Sequence, residues 1–131
     1  MGTLEVRILK KARCVHYIGN GVISYESLIQ KIKAVRAHSD FDLSFNFFFD
    51  FENAVLSFDD EGFMSYNLFF QELQSSKIYR KWAIYTMKEM TFKTANMHHL
   101  LASDVIEVKV FQNREMALAF LGITEEDLAV Y

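Results

Sequence analysis

The chain has 131 residues, 51% apolar and 24% charged, with a formal net charge of −3. These totals suit one folded domain over residues 1–131 and exclude an intrinsically disordered chain. They also exclude a general nucleic-acid binder, which needs a basic patch against phosphates; the short clusters Lys10-Lys11-Ala12-Arg13 and Lys31-Ile32-Lys33 read as solvated surface.

From the N-terminus, Leu4, Val6 and Ile8 alternate with Glu5 and Arg7, the pattern of a half-buried strand. Leu9 breaks the alternation at the strand's end. Lys10 to Arg13 is a polar turn, and Cys14 to Ile18 is a second strand. The stretch Gly19-Asn20-Gly21 is a strong turn signal and is expected to close that strand. The two strands form a hairpin. Ser24 then caps a helix that runs to about Ala37, with Glu26 in its first turn. At 100° per residue, Tyr25, Leu28, Ile29, Ile32 and Val35 share one arc of this helix, the side that packs on a sheet.

The segment Phe45 to Phe51 (FNFFFDF) is apolar on both faces, which marks a central strand covered by helices above and below. The strand is expected to end near Asp50 and to enter a loop. Asp59, Asp60 and Glu61 precede a helix from about Gly62 to Ser75, where acids complement the positive end of the dipole. Phe63, Tyr66, Phe69, Phe70 and Leu73 form its core face. Met64 and Leu68, four apart, make a second apolar strip on the far side and are the candidate interface residues.

Trp82 to Met87 reads as a strand. Thr91 to Ala102 reads as a helix with two competing stripes, Phe92/Ala95/His99 and Met97/Leu100/Leu101, either of which suits the core. Val105 to Phe111 alternates as a strand. Asn113 caps a helix through Leu121 that Gly122 ends, and Thr124 caps a short acidic tail. Strands alternating with helices predict a single layered α/β domain. Its sheet is mixed and mostly parallel, with about five strands, an antiparallel start and about four helices.

The closing segment Val110 to Gly122 (VFQNREMALAFLG) resembles the strand-cap-helix ending of STAS-like proteins. These are small α/β modules related to anti-sigma-factor-antagonist domains, with a bacterial branch grouped with CRAL-TRIO lipid-transfer domains. The positions that carry the likeness are Phe111, Asn113, Ala117, Phe120, Leu121 and Gly122. Gly21 to Leu28 and His38 to Asp50 resemble the family's first helix and the strand after it. The resemblance implies a STAS-like fold and a role in regulatory protein contact or in binding an apolar, lipid-like ligand. In antagonists of this family an Asp-Ser-Ser-Gly stretch follows the central strand, and one serine is phosphorylated. Here Asp59-Asp60-Glu61-Gly62 stands in that region, so no hydroxyl is offered to a kinase, and the three acids make a candidate regulatory loop or a helix cap.

No phosphate loop, dinucleotide fingerprint, nucleophile elbow or CxxC occurs, so neither a cofactor nor a metal site is expected. His98 and His99 are adjacent rather than four apart and lack ligand spacing. Cys14 and His16 lie two apart on one strand and face the same side, which makes a hydrolase using the pair a remote alternative. With a single cysteine no internal disulfide forms. No leader-like apolar segment opens the chain, and a cytoplasmic location is expected. The function expected is a non-enzymatic binding or regulatory module, self-associating as a homodimer, with an unknown protein partner. The alternative is a carrier of a small apolar ligand lined by Phe63, Phe69, Phe70, Trp82, Phe92 and Met97.

Overall fold

The computed structural model describes residues 2–57, 68–73, 77–88 and 105–129. Five strands form one sheet in the order β1 (Thr3–Leu9), β2 (Cys14–Ser24), β3 (Asn46–Ser57), β4 (Arg80–Tyr85) and β5 (Ile106–Phe111). β1 and β2 are an antiparallel hairpin, turned at Arg13 with φ 52°. Every other neighbouring pair is parallel. The helices are α1 (Tyr25–Arg36), α2 (Arg114–Leu121) and α3 (Glu125–Leu128), and residues 68–73 are also helical. This is the expected α/β architecture, with the antiparallel start and β3 in the middle.

The pairing register explains why both faces of β3 are apolar. One line across the sheet reads Ile8, Val15, Phe47, Trp82 and Val108, and the next reads Val6, Tyr17, Phe49, Ile84 and Val110. These rows belong to the first face, where they share a core with Leu28, Ile29, Ile32 and Val35 of α1 and with Phe69, Phe70 and Leu73. Both helical segments lie on this face because successive parallel strands step in one direction, and right-handed crossovers then fall on one side. The α1 arc expected from its periodicity is the buried side, and Ser24 caps the helix by accepting from the Ser27 N–H.

The second face carries the other half of the alternation. Leu9, Cys14, Phe48, Ala83 and Tyr85 form a smaller core with Ala117, Leu118 and Leu121 of α2 and with Ile123 and Leu128. Leu9 closes β1 and, as its place in the sequence implied, breaks the alternation there: it points to this face and is fully buried. The caps here match the sequence reading. The Asn113 side chain accepts from the Met116 N–H, Gly122 closes α2 in the left-handed region at φ 72°, and Thr124 forms a capping box with Asp127.

Three boundaries differ from expectation; the strand read at Trp82 to Met87 is β4, two residues earlier at each end, and the other two differences are in β2 and β3. Gly19-Asn20-Gly21 is not a turn: β2 continues through it to Ser24. Nor does β3 stop at Asp50; it runs on to Ser57 beside the extended β2. The register changes between Ile18↔Asp50 and Asn20↔Asn53, so β3 carries one extra residue, a β-bulge. Past the bulge the inward positions become Ala54 and Leu56, both buried. The glycines serve this arrangement. A Cβ at Gly19 would lie 2.5 Å from Ile23 Cδ1 and 2.7 Å from Phe51 Cδ1, and Gly21 holds φ 75° within the strand. Among the described residues no helix is long and apolar enough to cross a membrane.

Candidate functional site

The strand alternation delivers polar groups to the second face, in the middle of β3 just before the bulge and at the C-terminal end of β4. One row there reads Glu5, Ile18, Asp50, Tyr85 and Phe111; the row before it reads Arg7, His16, Phe48, Ala83 and Lys109. His16 and Asp50 are thus diagonal neighbours on adjacent strands, and His16 Nε2 lies 3.1 Å from Asp50 Oδ2. The His16 ring stacks on Phe48, centroids 5.1 Å apart and planes 13° from parallel.

Arg114 approaches from above. It is the first residue of α2, and its Nη1 donates to the same Asp50 oxygen at 2.7 Å. Its Nε and Nη2 donate to the two carboxylate oxygens of Glu125, the first residue of α3. The guanidinium also lies over the Phe48 ring, 5.6 Å from its centroid. One side chain therefore ties the sheet to both C-terminal helices. Beside it, the Tyr85 hydroxyl donates to Glu52 Oε1 at 3.1 Å.

The site grades from dry to wet. The His16 side chain is 5% exposed, Asp50 12%, Arg114 31% and Glu125 60%. Burial works to raise the Asp50 carboxyl, but the hydrogen bonds and charges of His16 and Arg114 outweigh it and hold the group below the usual carboxylate range. Burial likewise disfavours the Arg114 charge, and the bonds to Glu125 and Asp50 more than reverse that. Burial first, then the hydrogen bond to Glu52, raises Tyr85. With Asp50 ionised, His16 Nε2 is the proton donor, and its buried Nδ1 has no hydrogen-bond partner among the described residues. The arrangement is chemically an ion network, and its strongest donors and acceptors are already engaged with one another.

The sequence-predicted residues fall in different places. Cys14 and His16 share the second face as expected, but Cys14 is wholly buried and burial pushes its thiol up to about 12. Leu68 is 66% exposed, while Phe69 and Phe70 are buried. Trp82 is 1% exposed and packs against Phe47, Phe49 and Phe70, with centroids at 4.9, 5.5 and 5.3 Å. Asp59, Asp60, Glu61, Phe63, Met64, Phe92, Met97, His98 and His99 lie outside the described residues. Among the described residues no group of three or more His, Cys, Asp or Glu side chains could hold a metal ion.

Sequence reasoning missed Arg114, Glu125 and Tyr85. A signal for Arg114 was present. An arginine in the first position of a helix opposes the macrodipole, which favours acids there, so it calls for a compensating carboxylate. Periodicity does not say which carboxylate that is. No protein-family model and no curated protein matches this chain.

Proposed function

We propose that this chain is a non-enzymatic binding or regulatory module of STAS-like type, acting through protein contact and associating with a second copy of itself. The observation that carries the reading is Leu68. It is 66% exposed, more than any other large apolar side chain among the described residues, on a segment whose Phe69, Phe70 and Leu73 are buried. Its helix thus fills the core on one side and offers an apolar side chain on the other. Removing a leucine of this kind from water contributes about 1.5–3 kcal/mol, and a two-fold axis would use it twice. The protonated state of Cys14 near neutrality weighs against a hydrolase built on Cys14 and His16. The lone cysteine is consistent with a cytoplasmic setting.

Light scattering on the wild type and on a Met64→Glu, Leu68→Glu variant tests the proposal. The expected result is a dimer mass for the wild type and half that mass for the variant. A monomeric wild type at high protein concentration overturns self-association.

One observation favours the alternative, a carrier of a small apolar ligand. Among the described residues the Trp82 Nε1, buried in the aromatic layer, has no acceptor. A ligand carbonyl or carboxylate would satisfy it. Native mass spectrometry with added long-chain fatty acid tests this: a stoichiometric adduct with a changed Trp82 fluorescence supports it, and no adduct removes it.

A further inference from the structure

We draw no further inference here: the strongest candidate, the part of the second sheet face where Val22 and Val55 sit side by side on the extended ends of β2 and β3, is unpartnered among the described residues, and nothing in the structure shows what covers it.

Discussion

Arg114 and Asp50 stand 64 positions apart in the chain and meet through one charge-assisted hydrogen bond of 2.7 Å. The bond fixes where the C-terminal helices sit, because the same guanidinium also holds Glu125. Arg114→Met removes the donor and leaves the nearly buried Asp50 carboxylate with His16. Breaking a fully buried pair costs about 3–5 kcal/mol. Arg114 is 31% exposed, so water recovers part of that and a loss of about 1–2 kcal/mol is expected. Glu125→Gln, at a far more exposed carboxylate, is expected to cost less than about 0.5 kcal/mol. Urea unfolding with an unchanged m-value measures both. Equal losses for the two variants would contradict the graded burial of the network.

The Asp50 carboxyl sets a pH dependence of known sign. Its pKa is lower in the folded state than in the unfolded chain, so the unfolded state binds the extra proton on acidification. The stabilisation is complete above the unfolded value of about 4 and is lost as the pH falls through the depressed folded value. The wild type should therefore lose stability below about pH 4 more steeply than Asp50→Asn, which is weaker at neutrality but flatter in acid. Thermal melting between neutral and strongly acidic pH reads the difference. Parallel curves would show that Asp50 is not the group responsible.

Cys14 works in the opposite direction. Its thiol is raised to about 12 in the fold, so on alkalinisation the unfolded chain loses its proton first. Stability should fall from about pH 8.5, the free-cysteine value, towards the folded value, and Cys14→Ala should flatten that part of the curve. Tyr25, also raised by burial, contributes in the same sense at higher pH. A thiol reagent at pH 8 should label the native protein at least about a hundredfold more slowly than the urea-unfolded chain, because the thiolate is both scarce and buried. Rapid native labelling would contradict the burial of Cys14.

Two glycines should be irreplaceable for different reasons. At Gly19 a methyl group meets Ile23 and Phe51 below 3 Å. Gly19→Ala should therefore cost about 1–3 kcal/mol by overpacking, and Ile23→Val should relieve part of it. At Gly122 a methyl group meets nothing within 4 Å among the described residues, but φ is +72°. Gly122→Ala should cost about 1 kcal/mol through the backbone alone, with no neighbouring substitution able to rescue it. Chemical denaturation of the two singles and of Gly19→Ala with Ile23→Val distinguishes the mechanisms.

Truncating Phe48 should be the most damaging single change on the second face. Its ring is fully buried, carries His16 on one contact and Arg114 on another, and belongs to the smaller of the two cores. Phe48→Ala should cost about 3–5 kcal/mol, against under about 1.5 kcal/mol for Ile84→Leu, a volume-conserving swap on the other face. Urea midpoints give the comparison.

Much of the fold was legible because periodicity and capping are local. The arc Tyr25, Leu28, Ile29, Ile32 and Val35 is the buried side of α1, Asn113 and Thr124 cap through their side-chain oxygens, and Gly122 ends α2 through its left-handed backbone. The run Phe47, Phe48 and Phe49 implied a strand with two covered faces, and it has them. Local reasoning failed at Gly19-Asn20-Gly21. Those residues favour a turn in isolation, but here a small residue at 19 makes room for Phe51, and the extension of β2 is paired by the far end of β3. The candidate site was legible only in parts. His16 drew notice only beside Cys14 and Asp50 only as an expected strand end, and nothing in their spacing predicted that Arg114 would close over them.

Hydrophobic period and cap residues act over a few positions, so the chain by itself placed its five strands though not all their ends, the helices α1, α2 and α3, the α/β class and the central place of the phenylalanine segment. Strand order, the bulge in β3 and the His16–Asp50–Arg114–Glu125 network depend on residues brought together from across the chain. Only the tertiary structure decided them, because a buried charge takes as its partner whichever opposite charge the packed sheet and helices bring within reach, and that neighbour is set in space rather than in sequence.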